Sequence, residues 1–194
     1  DREEVLRRLE RAGRTCYKSE DRVSGDSAAR FVRSLVSRGH ESVLEHVSLT
    51  VRVVCDRGVS HEIVRHRIAS YSQESTRYCN YGTDRFDRQI RCIRPSFFRE
   101  DTPSGLPRPD RDQGALMAEW ERAMEQAEAA YLRLLDLGAT PQEARAVLPH
   151  SLKTELVMTM NLREWRHFFR LRCAQASHPQ LREVAIPMLL HFRD

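Results

Sequence analysis

From Val47 to Cys55 the apolar residues fall on every second position: Val47, Leu49, Val51, Val53 and Cys55 alternate with Ser48, Thr50 and Arg52. Side chains of an extended strand point alternately to its two faces, so this run can bury one face and wet the other, which places a sheet here. Asp56-Arg57-Gly58 closes it. Most of the remaining chain has the period of a helix instead. Val5, Leu6, Leu9 and Ala12 share a helical face over residues 2–12, and Phe31, Val32, Leu35 and Val36 share another that Asp26 or Ser27 can cap and Gly39 ends. A short helix is expected over 59–67 and a second strand over 88–94, ended by Pro95. Prolines and a glycine among charges mark 99–111 as an exposed loop.

Beyond that loop the pattern is helical. A stripe from Leu116 through Trp120, Met124, Ala127 and Tyr131 to Leu135 ends at Gly138. Thr140-Pro141-Gln142-Glu143 combines an N-cap, a proline at the first helical position and a Glu at the third. Asn161 caps a helix carrying Trp165, Phe168, Phe169 and Leu171, and a last helix from near Pro179 to Leu190 is expected to kink at Pro187. There is no internal repeat. At 194 residues the chain is long enough for a real core, and one compact domain spanning 1–194 is expected.

Several function classes are disfavoured. No stretch approaches the roughly 20 apolar residues that cross a bilayer, and no secretory signal is visible, so membrane insertion is not expected and the cytoplasm is the default location. The five cysteines are scattered with no C-x-x-C pair, which argues against a disulfide framework or a thiolate zinc site. Net charge is +4, carried almost wholly by arginine, the only lysines being Lys18 and Lys153. Arginine grips phosphate in bidentate fashion, although genome base composition can produce the same bias.

The segment 65–78 reads RHRIASYSQESTRY and gathers three arginines, a histidine, three serines, a threonine and a Gln-Glu pair in fourteen residues. No apolar period organises it. Arginines flanking short hydroxyls are what a phosphate site requires, although an exposed loop with incidental ion pairs has the same composition. The pattern Arg65-His66-Arg67, then Ser70, Ser75 and Arg77, resembles the signature of the flavin-dependent (alternative) thymidylate synthases, fixing six positions over thirteen residues. Ser72 stands where that signature often has Asn. The likeness extends to GHESVLEHVSLTVRV, to EARAVLPHSLKTELVMTMNLREWRHFFRLR and to HPQLRE, covering about residues 20–190.

That resemblance implies an α+β fold, with helices packed on a small antiparallel sheet, and a homotetramer with active sites shared among subunits. It implies reductive methylation of dUMP to dTMP, with 5,10-methylenetetrahydrofolate as carbon donor and NADPH, through FAD, as reductant. Flavin contacts would fall on Ser42, Arg65, His66, Arg67, Asn161, Arg163 and His167. Contacts to dUMP would fall on Glu62, Arg65, Gln73, Glu74, Ser75, Thr76, Arg77, Arg145 and Arg172. Arg172 would be the catalytic cation near the uracil N3/O2 edge, where it stabilises developing negative charge. Glu62 matches a position where some members use Gln, and a carboxylate near a phosphate is unfavourable unless it faces a ribose hydroxyl or an arginine.

His40-Glu41 and Glu45-His46 invite a metal reading, but six-residue spacing suits no single helical face and no third ligand is near, so no metal is expected. The resemblance puts His40 close to the flavin ring. A nucleic-acid-binding module would also explain 32 basic residues, but the aromatics are not interleaved with them as stacking requires, and no nucleic-acid partner is expected. A third reading is a flavoprotein of this fold that has lost methyl transfer, with Glu62 and Ser72 the positions to suspect.

Overall fold

The computed structural model describes residues 1–98 and 111–193, so nearly all of the loop expected over 99–111 lies outside the described residues. Three strands form one sheet in the order β1 (Ser48–Asp56), β3 (Lys153–Asn161), β2 (Ser70–Gln73), with both pairings antiparallel. Around it stand α1 (Arg2–Tyr17), α2 (Ser27–Ser37), α3 (Arg57–Ile63), α4 (Gln113–Asp136), α5 (Pro141–Ala144), α6 (Leu162–Arg172) and α7 (Pro179–Arg193). The fold is α+β, as the resemblance implies. Among the described residues no helix is long and apolar enough to cross a membrane.

The alternation that opens the sequence argument becomes β1, paired along its whole length with β3, from Ser48 opposite Asn161 to Asp56 opposite Lys153. The central strand has no counterpart among the expectations. It reads K-T-E-L-V-M-T-M-N, rich in residues that favour helices, and Val157 on the outer face blurs its period. Pairing on both sides decides its conformation, because Thr154, Leu156, Met158 and Met160 then all face inward and are buried to 2% exposure or less. The strand expected over 88–94 is a correction: the segment makes only an isolated bridge between Cys92 and Leu152, flanked by Lys153 N–H to Arg91 C=O and Ile93 N–H to Ser151 C=O. Ser70–Gln73, too polar to be assigned from its pattern, is the second edge strand.

One face of the sheet carries the main core, where Leu156, Met158, Met160 and Val53 meet Ile63 of α3, Trp165, Phe168 and Phe169 of α6, and Leu181 and Ala185 of α7. A second cluster joins α1, α2 and the 3₁₀ turn Glu41–His46. There Gly13 lets the helices close up, since a Cβ would come within 2.6 Å of the Phe31 ring. A third cluster packs Tyr131 of α4 over Tyr81, Ile90 and Leu152.

Two capping residues tie this frame to the polar groups. Asp56 ends β1 and caps α3, accepting from Val59 N–H at 2.7 Å and from Gln180 of α7 at 2.8 Å. Asn161 ends β3 and caps α6, its Oδ1 accepting from Glu164 N–H at 2.9 Å, the cap expected from sequence. The helix expected over 59–67 is shorter and starts earlier, because Asp56 provides the cap and the backbone turns out of the helix after Ile63.

Candidate active site

The turn after α3 delivers His66 inward and leaves Arg65 and Arg67 exposed. Tyr71 of β2 pins it from below, its hydroxyl placed 3.0 Å from Ile63 C=O and 2.7 Å from His66 C=O. His66 is 5% exposed, edge-on to Phe168 at 5.0 Å and to His167 at 5.7 Å. Arg172 Nε lies 3.0 Å from His66 Nε2, and a guanidinium can only donate, so Nε2 accepts and the ring proton sits on Nδ1. That proton is donated to Glu164 Oε1 at 3.0 Å. Burial and the neighbouring Arg172 charge hold the imidazole below its usual range against the opposing pull of Glu164, which matches a neutral ring.

Arg172 is clamped on a second side. Its Nη1 donates to Glu62 Oε2 at 3.2 Å and its Nη2 to the Glu62 carbonyl at 3.0 Å. Glu62 therefore faces an arginine, the condition under which a carboxylate at this position is tolerable. Three of the five guanidinium N–H groups are committed within the chain, and with 20% of its side chain exposed Arg172 can still present the others outward.

Next to this chain of bonds opens a cavity of about 790 Å³, lined by Asn161, Arg163, Glu164 and His167 of the α6 end, by Glu41 and Glu45, and by apolar Ile68, Phe169 and Leu189. Its size is within the range of small-molecule sites. Arg163 pairs with Glu45, Arg166 with Glu41 at 3.1 Å, and Arg170 Nη2 donates to His167 Nδ1 at 3.0 Å. Ser42 is exposed on the adjoining Glu41–His46 turn, and His40 before it meets the Tyr17 hydroxyl at 3.1 Å. Asn161 spends its carbonyl oxygen on the helix cap, which leaves its NH₂ group able to donate. Ile68, 68% exposed beside Arg65 and Arg67, offers an apolar platform flanked by cations that have no carboxylate partner among the described residues.

The remaining expected residues gather elsewhere. Gln73 donates to Ser60 Oγ at 2.9 Å and Thr154 Oγ1 at 3.2 Å; Glu74 receives the Tyr81 hydroxyl at 2.8 Å and Lys153 Nζ at 3.2 Å. Thr76 is buried and Ser75 Oγ accepts from Arg77 N–H at 3.3 Å. Arg77 Nε donates to Gln142 of α5 at 2.9 Å, and Arg145 projects from the 3₁₀ turn that follows, with no side-chain partner among the described residues. Glu74 docks on the Lys153 end of β3 and the cavity lies at the Asn161 end. Eight steps along a strand separate those ends, about 26 Å.

His66, Glu164 and His167 also bring metal-capable atoms within 4.8 Å of one another. Arg172 already occupies the far nitrogen of His66 and Arg170 the Nδ1 of His167, so two cations stand where a third would have to enter. The donor set suits an anionic or hydrogen-bonding ligand better than a metal ion.

The profile of the family described as thymidylate synthase complementing protein matches residues 2–194. The chain belongs to that family. It is 36% identical over 185 residues to a protein named flavin-dependent thymidylate synthase from Geobacter sulfurreducens, covering 92% of this chain and 73% of the relative. Proteins of the same name from Pyrococcus furiosus and Thermococcus kodakarensis are 32% and 36% identical, over 91% and 87% of this chain and 67% and 63% of their own lengths. The chain thus spans about two thirds to three quarters of these relatives. Two residues that the sequence pattern does not single out, Glu164 and Tyr71, hold His66 in place. Glu164 reads from sequence only as the third residue of a capped helix, and nothing in the local pattern reveals that it orients a histidine 98 positions away.

Proposed function

We propose that this chain is a flavin-dependent thymidylate synthase, forming dTMP from dUMP with 5,10-methylenetetrahydrofolate as carbon donor and NADPH as reductant. The observation that carries the reading is Arg172. Three of its donors are fixed by His66 and Glu62, so the guanidinium is oriented before any ligand arrives, and the two left over suit the paired polar edge of a uracil ring. Negative charge developing in that ring is stabilised by a cation that needs no reorganisation.

The cavity beside α6 fits a flavin: it has apolar walls, arginines for a pyrophosphate, and donors at Asn161 and His167. Ser42, Arg65, His66, Arg67, Asn161, Arg163 and His167 would hold FAD, which when bound carries reducing equivalents from NADPH toward the nucleotide. His66, neutral and held by Glu164, keeps Arg172 in register rather than exchanging a proton. Gln73, Glu74, Ser75, Thr76, Arg77 and Arg145 would hold dUMP, with the exposed guanidinium groups on its phosphate, while Glu62 holds Arg172. A chemistry that asks no thiolate of the protein suits this chain, where burial pushes the Cys55 thiol to about 12 and Cys92 to about 11.

Arg77 and Arg145 stand toward the Lys153 end of β3 and the cavity at its Asn161 end, and on this reading the guanidinium groups of one copy complete the site of another. A homotetramer is the assembly we expect. Tritium release from C5-labelled dUMP, with FAD, NADPH and the folate present, tests the activity. Release with dTMP formation is the expected result, and neither appearing with the assembled protein sinks the reading.

A further inference from the structure

A second cavity, of about 440 Å³, lies between the C-terminus of α1 and α2, and none of the residues given a role above lines it. Arg14, Lys18, Arg22 and Arg38 line it together with the rings of Tyr17 and Phe31. Asp21 is the one carboxylate in its wall, and Arg14 is neutralised from behind by buried Glu10 at 2.8 Å, so four cations face two carboxylates and the cavity keeps a surplus of two positive charges. Lys18, Arg22 and Arg38 make no ion pair among the described residues. Arg38 donates only to Ser34 C=O at 3.1 Å. Lys18 is the αL cap of α1 at φ 46, which turns the chain sharply at the cavity edge.

The cavity is tied to the site already described. Tyr17 lines it, and the Tyr17 hydroxyl meets His40 Nδ1 at 3.1 Å. His40 directly precedes Glu41, which lines the larger cavity. A ligand whose reactive end lies in the larger cavity and whose tail runs past His40 arrives at Tyr17 among three cations with no carboxylate partner among the described residues.

We infer that this cavity receives the multiply charged anionic tail of a co-substrate, an inference that rests on the reading of the chain as a flavin-dependent thymidylate synthase. Two co-substrates of that reaction carry such a tail: the glutamyl carboxylates of the folate and the 2′-phosphate of NADPH. Guanidinium and ammonium groups beside aromatic faces recognise either, and the cations would act on binding rather than on the chemical step.

The test is the Arg22→Ala/Arg38→Ala double variant, with Lys18→Gln as a milder second, since all three side chains are exposed and none holds the fold together. Loss of charge-assisted contacts at a wet site should raise one co-substrate KM roughly three- to tenfold with kcat unchanged. If the folate tail binds here, the rise is larger for the pentaglutamate than for the monoglutamate and the same with NADPH or NADH. If the 2′-phosphate binds here, the rise appears with NADPH and vanishes with NADH. Both KM values staying within about twofold of the parent overturns the inference. Calorimetric titration of the FAD-loaded protein with folate pentaglutamate and with NADPH reads the same site without turnover, and unchanged affinity for both in the double variant overturns it equally. A parent that forms no dTMP counts against the enzymatic reading alone.

Discussion

The two halves of the candidate site are built on opposite terms. Around His66 both ring nitrogens are answered within the chain, and most of Arg172 with them: Glu164 takes the ring proton, Arg172 fills the other nitrogen, and Glu62 takes two more donors of Arg172. Around Arg145 and the exposed pair Arg65 and Arg67 no carboxylate answers at all among the described residues, and Arg77 has only a neutral amide and the neighbouring Tyr78 ring. A buried unpaired charge would be costly, so the first half has to be complete for the chain to fold, whereas the second half stays solvated and can wait for its partner. The contrast separates groups that orient from groups that capture.

Arg172→Ala attacks the orienting half where the proposed function seats the uracil, and the largest effect is expected there. Removing one preorganised donor to developing charge costs about a hundred- to a thousandfold in kcat, so dTMP formation should fall by that order while the flavin absorbance of the purified protein stays. Retained turnover would erase the distinction between the two halves. Arg77→Ala and Arg145→Ala act on the capturing half. Each should raise the KM for dUMP about tenfold or more without lowering the melting temperature, because neither side chain supports the core. A marked fall in melting temperature in either would mean that these arginines hold structure after all.

The smallest effect sharpens the first half alone. Glu164→Gln keeps the volume and leaves the His66 N–H an amide oxygen in place of a carboxylate, which should destabilise the fold by about 1 kcal/mol in denaturant titration. The pH dependence carries the same signature. Burial, then the Arg172 charge, depresses the folded His66 pKa below its ordinary value of 6.5, so the unfolded chain takes up the proton first as pH falls. Stability is unaffected by His66 above that value and declines below it until the folded pKa is reached. His66→Gln should flatten that acid-side decline, seen as a smaller drop in melting temperature between neutral and mildly acidic buffer.

How far the sequence foretold this depends on whether a feature is local. The helix starts at Asn161 and Thr140 are legible because capping is decided within four residues, and β1 because its period is undisturbed. The central strand was illegible because Leu156, Met158 and Met160 prefer helices and are extended only by pairing on both sides. The segment 88–94 errs the other way, an apolar run that finds only one bridge to pair with. In the site, the residue types from Arg65 to Arg77 suit a phosphate, but which of them face the cavity and which run on along β3 is a matter of sheet register, which no local pattern encodes.

Asn161 has one further consequence. The same residue finishes the central strand, caps α6 and lines the cavity. A ligand seated there pulls on the joint between sheet and helix, so occupancy and folding are thermodynamically linked: whatever fills the cavity tightens the seam through which the polypeptide would otherwise begin to open. On the proposed reading, loss of the flavin would then lower the melting temperature as well as the rate.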